Sequence, residues 1–547
     1  MSGEDRLNRP GPARGAGAYD VIVVGAGLAG LYALHRLRGL GARALVLEAA
    51  DGVGGTWYWN RYPGARCDVE SVFYSYSFSP ELEQEWQWTE RYAGQPEILR
   101  YLEHVADRFD LRRDIRLNTR VTAAHYDEAA GGWRIRTHDG TTLTASYCVM
   151  ATGCLSRSQS PGLEGLDDFG GSVHRTARWP HEGVDFSGRR VAVIGTGSSA
   201  IQAIPLIADQ AARLTVFQRT PNFSLPARNR PLDPTELTRV KKRYPHLREL
   251  ARNSAFGVPQ VPDTPSGSAL AASPEERAAR YRAAWEAGSL FGFSDTYSDL
   301  ITDESANETA GDYVRARIRE AIHDPATADR LTPRHHPFGT KRLCLDSGYY
   351  DTFNRSHVAL VDLRSSPLVR VTRNSIVTTA DEHPVDSIVL ATGFDAMTGA
   401  LLALDIRGRA GRTLRAAWAN GPRTYLGLAV AGFPNLFLIT GPGSPSVLSN
   451  MIVSIEQHVD WIADAIQWLS RRAAVSFEAA DEAETAWTAH VDALSAATLL
   501  PRAASWWTGA NVAGKPRVFM PYPGGVKSYR DTCDAVADDG YRGFIVT

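Results

Sequence analysis

The stretch Asp20-Val21-Ile22-Val23-Val24-Gly25-Ala26-Gly27-Leu28-Ala29-Gly30 is followed by a helix-forming segment, Leu31 to Leu40, a second apolar run, Ala44-Leu45-Val46-Leu47, and then Glu48. In order this is strand, glycine turn, helix, strand, acid. Gly25 permits the tight turn, Gly27 lets the backbone approach a pyrophosphate, and Gly30 lets the helix pack on the strand. The helix then turns its free N–H groups and positive dipole end toward the phosphates. Glu48 stands eighteen residues beyond Gly30, where an acid accepts the ribose hydroxyls of a dinucleotide.

A second copy of the pattern lies further along. Arg190 to Ile194 reads as a strand, and Gly195-Thr196-Gly197-Ser198-Ser199-Ala200 as its turn, with alanine in place of the third glycine. The following strand, Leu214 to Phe217, ends in Gln218-Arg219-Thr220 and not in an acid. An arginine there suits a 2′-phosphate, so the second nucleotide reads as NADP and not NAD. Ala-Thr-Gly closes an apolar run at Ala151-Thr152-Gly153 and again at Ala391-Thr392-Gly393. The layout is that of a flavoprotein in which an NADP domain is inserted into an FAD domain. The expected fold is therefore α/β, with two Rossmann-like dinucleotide-binding domains and a helical insertion. The expected division is a disordered tail at 1–17, an FAD domain at 18–155 and 390–547, an NADP domain at 156–230 and 335–389, and the helical insertion at 231–334.

With 547 residues the chain is too long for one core. Its 59 basic and 61 acidic residues nearly cancel, which gives no electrostatic case for nucleic acid or an anionic membrane as partner. Cys67, Cys148, Cys154, Cys344 and Cys533 are odd in number and scattered, without a CxxC pair. That argues against a disulfide framework, a structural zinc site and a redox dithiol, and fits a reducing cytoplasm. The apolar stretch Tyr425 to Thr440, interrupted by Pro434-Asn435, is too short to span a bilayer and reads as buried strands. No metal is expected, and a monomer is.

Between these landmarks, Gln95 to Phe109 has helical period, and the alternation around Thr119 to Arg136 suggests a hairpin. Pro274 to Ala287 and Asn307 to Asp324 have helical period inside the insertion, whose role as lid or plain surface addition stays open. Gly54 to Asp68, dense in aromatics and glycines, reads as neither helix nor strand; it either walls a ring system or is a loop with aromatic anchors. Gly441 to Ser446 reads as a loop leading into a helix, Met451 to Leu469. Trp506-Trp507 sits in a Gly-rich loop, as buried anchors or as a cover for a cofactor ring.

Phe169-Gly170-Gly171-Ser172-Val173-His174-Arg175-Thr176-Ala177-Arg178-Trp179-Pro180 resembles the fingerprint of the Type I Baeyer–Villiger monooxygenases, Phe-x-Gly-x-x-x-His-x-x-x-Trp-Pro. Gly55 to Asp68 is similar to that family's second signature, Gly-x-Trp-x-x-x-x-Tyr-Pro-Gly-x-x-x-Asp, at every fixed position. One departure stands out: Phe169, Gly171 and Trp179 are in register, but Arg175 holds the histidine place and His174 sits one residue early. The resemblance implies FAD contacts at Gly25, Gly27, Gly30, Glu48, Thr56, Trp57, Asp68, Tyr74, Val121 and Met451. It implies NADP contacts at Arg66, Cys67, Thr196, Gly197, Ser198, Ser199, Gln202, Arg219, Thr220, Lys341 and Trp506. Arg342 corresponds to the active-site arginine, Asp68 to the carboxylate that positions it, and Ser446, Val447 and Leu448 to the substrate wall. The implied reaction uses NADPH and O2 to convert a ketone to an ester or lactone through a flavin C4a-peroxide. The alternatives are a flavin monooxygenase that oxidises nitrogen or sulfur, which usually lacks the Trp-Pro ending, and a disulfide reductase, which needs the cysteine pair this chain does not have.

Overall fold

A computed structural model describes residues 18–159, 161–259 and 267–547, so the segment 1–17 read as a tail lies outside the described residues. The first sheet is built on Ala18–Val24, which pairs in parallel with Ala44–Leu47 on one side and Thr142–Met150 on the other. Val21, Ile22 and Val23 are fully buried, as expected of a parallel strand covered on both faces. Thr142–Met150 changes neighbour midway. Its first half pairs antiparallel with Gly132–Thr137, and Cys148 to Met150 pair in parallel with Leu436–Leu438. Gly132–Thr137 forms a hairpin with Val121–Asp127, and Asp405–Arg407 adds to the outer edge.

The second sheet is parallel throughout, in the order Val358–Asp362, Arg213–Gln218, Arg190–Ile194, Ser387–Leu390, Ser172–Arg175. Between the halves of this sheet in sequence comes a helical segment that includes Pro234–Lys242, Tyr244–Arg252, Pro274–Ala287 and Glu304–Ala321. Pro274–Ala287 begins at a capping box, with Ser273 and Glu276 each satisfying the other's backbone N–H. Among the described residues no helix is long and apolar enough to cross a membrane.

The repeated Ala-Thr-Gly has a shared physical purpose. A Cβ on Gly25 would stand 2.6 Å from the carbonyl oxygen of Ala151, and one on Gly195 would overlap the carbonyl oxygen of Ala391. Both glycines have positive φ, +108° and +113°. In each domain, then, the end of a neighbouring strand presses a carbonyl onto the first glycine of the nucleotide turn, and a side chain is excluded by both strain and space.

Two expectations need correction. Of Tyr425 to Thr440 only Leu436–Leu438 is a strand. Leu426, Asn435 and Thr440 all have positive φ, which breaks the run into turns; its apolar composition reports burial and not extension. The aromatic stretch after Gly54 contains one helical turn, Thr56–Trp59.

The glycines make a stability test. A Cβ on Gly30 would overlap the carbonyl oxygen of Gly25, whereas one on Gly197 meets nothing within 4 Å. Gly30→Ala should cost about 3 kcal/mol of stability, the upper end for overpacking. Gly197→Ala should leave the melting temperature unchanged. Equal melting curves for the two variants would contradict this packing.

Candidate active site

Both nucleotide turns leave their helix N-termini open. The helices Leu28–Gly39 and Ser198–Ala208 begin at Gly27 and Gly197 without a side-chain cap. In the insertion, Asp233, Ser273 and Asp303 cap three helices, while Tyr244–Arg252 has no side-chain cap. Uncapped N–H groups are what a pyrophosphate needs, and these two sites fit FAD and NADP. At the first turn Glu48 accepts the Ala26 N–H at 2.7 Å and the Ala50 N–H at 2.8 Å, one on each carboxylate oxygen. Each oxygen keeps a lone pair for a ribose hydroxyl. Gly27 closes on Gly55: a Cβ on Gly55 would lie 2.9 Å from the Gly27 Cα. The aromatic loop is thereby seated directly on the turn. The Trp57 indole N–H donates to the Tyr74 hydroxyl at 3.2 Å, with the rings edge to face. Both side chains are buried, whereas Thr56 is exposed and Val121 buried. Met451 opens the helix Met451–Arg471, capped by Asn450, whose amide also donates to the Phe73 carbonyl at 2.8 Å.

At the second turn, Arg219 is exposed and Lys341 half-buried. Burial and the Arg219 charge both lower the Lys341 pKa. Thr196 donates its hydroxyl to the Thr220 carbonyl at 3.1 Å, and Ser198 lies 3.2 Å from the Cys344 sulfur. Gln202, Arg66 and Cys67 stand where the two domains meet. The Gln202 side-chain Oε1 accepts the Tyr62 hydroxyl at 2.9 Å and the side-chain amide N–H donates to the Arg66 carbonyl at 3.1 Å. A Cβ on Gly64 would overlap the Gln202 backbone carbonyl. The Arg66 guanidinium is held by Glu90 at 3.1 Å. Burial pushes the Cys67 thiol well above its usual range, and the neighbouring Asp68 adds to this.

Arg342 lies where three parts of the chain converge. Its Nε and Nη2 donate to one oxygen of Asp68, Oδ2, at 3.0 and 2.7 Å. Its Nη1 donates to the Val447 carbonyl at 2.7 Å. Its guanidinium lies 5.9 Å from the centre of the Phe291 ring, which comes from the helical insertion. Burial disfavours the charge, but Asp68 overrides it and the net shift of the guanidinium pKa is upward. Ser446, Val447 and Leu448 form a single helical turn. Val447 and Leu448 pack in an apolar cluster with Met451, Trp506, Trp507 and Met520. The two tryptophan rings meet at 5.6 Å. Trp507 is the buried one, and its indole N–H has no partner among the described residues.

The fingerprint ties the sheets together. A Cβ on Gly171 would overlap the Asp386 carbonyl and press on the Phe169 ring. Trp179 is buried, and its backbone N–H donates to the Trp59 carbonyl of the aromatic loop at 3.4 Å. His174 turns its ring to Trp179 and Phe186, with centroids 5.6 and 5.9 Å away, and its Nε2 is buried without a partner among the described residues. Strand alternation sends Arg175 to the opposite face. Burial lowers the His174 pKa.

Sequence reasoning missed Phe291 and Arg248. Arg248 is buried against Glu83 at 2.8 Å and donates to the Ser75 hydroxyl at 2.7 Å and the Phe73 carbonyl at 3.2 Å. Its partners are more than 160 residues away in sequence, so no local pattern announces it.

Because the His174 ring sits in an apolar nest with an unpartnered nitrogen, His174→Phe should match or exceed the wild type in thermal stability. Loss of more than about 2 kcal/mol, the cost of an orphaned buried partner, would mean that the imidazole has a polar partner after all.

A sequence profile described as pyridine nucleotide-disulphide oxidoreductase matches residues 22–261. That name speaks to the nucleotide-binding scaffold, since all five cysteines here are free and buried. The chain is 41% identical to a Baeyer–Villiger monooxygenase of Pseudooceanicola batsensis, covering 96% of each chain. It is also 41% identical to a phenazine N-monooxygenase of Lysobacter antibioticus, over 96% of this chain and 97% of the relative. A solved structure described as oxidized steroid monooxygenase bound to NADP is 55% identical, with a TM-score of 0.92 over 97% of this chain and 99% of the other. At these identities, over nearly the whole length of each chain, the chain belongs to the Baeyer–Villiger monooxygenases, FAD- and NADPH-dependent enzymes that convert ketones to esters or lactones with O2.

Proposed function

We propose that Arg342 is the catalytic residue of this enzyme and Asp68 the residue that positions it. The observation that carries the reading is the three-way hold on the guanidinium by Asp68 Oδ2 and the Val447 carbonyl. Bound FAD, reduced by NADPH, supplies the oxygen-activating chemistry. The chain supplies a fixed positive charge beside it. Insertion of oxygen next to a carbonyl passes through negative charge on the carbonyl oxygen, and a half-buried guanidinium stabilises that charge without a proton transfer. Of its five N–H groups, three are occupied by Asp68 and Val447. Two remain for the developing oxyanion. Both Asp68 contacts fall on one oxygen, so the carboxylate aims the guanidinium plane and leaves Oδ1 unused by it.

For NADP we propose Arg219 and Lys341 as the 2′-phosphate ligands. Their mutual repulsion in the unliganded protein is relieved by a dianion placed between them. We propose Gln202 and Arg66 as residues that set the angle between the domains, with NADP contact secondary. Arg175, on the face of its strand opposite His174, is proposed to carry the role of the fingerprint histidine. For the substrate we propose a bulky cyclic or polycyclic ketone, because the steroid monooxygenase is 55% identical to this chain, against 41% for the Baeyer–Villiger and phenazine monooxygenases named above. Oxidation of an aromatic nitrogen is the second reading, favoured by the phenazine N-monooxygenase. Attack on a nitrogen lone pair creates no carbonyl oxyanion and has no use for Arg342.

Purified enzyme supplied with NADPH and a panel of aryl, cyclic, long-chain and steroid ketones should form esters or lactones, best with the ring-containing members. N-oxide from phenazine with no ester from any ketone would establish the second reading.

Arg219→Ala should raise the NADPH KM about ten- to a hundredfold, from the loss of one charge-assisted phosphate contact, and leave the NADH KM almost unmoved. A wild type that uses NADH and NADPH equally well would overturn the phosphate assignment.

Peroxide released per NADPH consumed tests the fingerprint. Arg175→Ala should raise it, while Arg175→His stays coupled; a rise confined to His174→Ala would move the role to His174.

A further inference from the structure

The helix Met451–Arg471 carries His458 about two turns in from its start. The side chain is fully buried. Its Nδ1 accepts the backbone N–H of Thr440 at 2.9 Å. Thr440 is the residue at which the chain leaves the sheet: the Ile439 N–H still bonds to the Met150 carbonyl at 3.1 Å. Thr440 has φ of +56°, a left-handed backbone that a β-branched side chain adopts only under constraint from its surroundings. The next residues fold back on it, with the Ser444 hydroxyl on the Gly441 carbonyl at 2.7 Å and the Ser446 hydroxyl 3.5 Å from the Thr440 carbonyl. One residue later, the Val447 carbonyl receives Arg342.

We propose that His458 is a positioning residue: by holding the Thr440 N–H it fixes where the loop Gly441 to Ser446 leaves the sheet, and so sets the Val447 carbonyl and the aim of Arg342. The role rests on the assignment of Arg342 above. It also accounts for an otherwise costly choice. With Nδ1 accepting, the ring proton sits on Nε2, which has no partner among the described residues. A buried N–H without a partner is unfavourable, and an apolar side chain would avoid it. The acceptor at Nδ1 is what an apolar side chain cannot provide. Burial pushes the imidazole down to about 3, so that acceptor persists across the working pH range. The ring is braced by Tyr529, 5.4 Å away between centroids.

The test uses the purified FAD enzyme and the variants His458→Leu, His458→Asn, His458→Gln and Arg342→Ala, with progesterone and cyclohexanone as probe ketones. An asparagine places its carbonyl oxygen near the Nδ1 position; a glutamine carries it one bond further out. His458→Leu should retain the NADPH rate of flavin reduction, lower ester per NADPH by up to about a hundredfold, the scale set by a reacting group misplaced by about 1 Å, and release the balance as peroxide. His458→Asn should restore most of the coupling and His458→Gln little. If His458→Leu yields no folded protein, the comparison of the Asn and Gln variants decides: better coupling in Asn supports the role, and equal coupling contradicts it. His458→Leu coupled as well as the wild type, or Leu and Asn equally impaired, overturns the proposal. Normal ester yield from Arg342→Ala would instead overturn the reading on which it rests.

Discussion

A half-buried cation needs compensation, and the position of Arg342 is the constraint around which this site is arranged. An arginine removed from water is costly unless its N–H groups are met. Here they are met from two directions, by a carboxylate beside the flavin turn and by the carbonyl of the loop that precedes the helix Met451–Arg471. The Phe291 face closes a third side. None of these groups can be moved alone. The aromatic loop that carries Asp68 is seated on the first nucleotide turn by Gly27 and Gly55, and the Val447 loop is held at its base by Thr440. In the role proposed for Arg342, the charge that the chemistry needs and the packing that the fold needs are thus one requirement.

Communication between the domains runs through the same aromatic loop. Tyr62 and Gly64 meet the helix of the second nucleotide turn at Gln202, and Trp59 meets the fingerprint at Trp179. The tryptophan-bearing loop is fastened to both connections between the sheets: Gln159 donates to the Asn511 carbonyl at 2.5 Å, and Lys515 pairs with Asp395 at 2.7 Å. A change in the angle between the nucleotide domains is therefore felt both at the loop that carries Asp68 and at Trp506. Under the assignments proposed for NADP and for the substrate wall, these contacts link the two sites without a dedicated lever.

Much of this is legible in the sequence because nucleotide binding imposes local rules. A turn that approaches a phosphate needs glycines at set intervals, and the interval from Gly30 to Glu48 follows from one helix and one strand. The paired Ala-Thr-Gly stretches mark strand ends, and the structure adds their reason: each presses a carbonyl on the first glycine of a turn. The Arg342–Asp68 pair spans 274 positions, and only the resemblance to a known family brings it into view. His458, Arg248 and Phe291 leave no signature at all. Each acts on a remote part of the chain, and a single buried polar or aromatic residue in a helical segment looks like any other. Tyr425 to Thr440 misleads for a related reason: composition reports that a segment is buried but not how its backbone turns.

The most direct measurement is stopped-flow reduction of the flavin by NADPH in Arg342→Ala, paired with the ester yield per NADPH from the same preparation. FAD should be bound and reduced at close to the wild-type rate, with ester formation down by about a hundred- to a thousandfold, as for loss of an oxyanion-stabilising donor. Arg342→Lys should recover little, since a point charge on a flexible stem does not reproduce a guanidinium held at three N–H groups. Normal ester formation by Arg342→Ala would contradict the account at its centre.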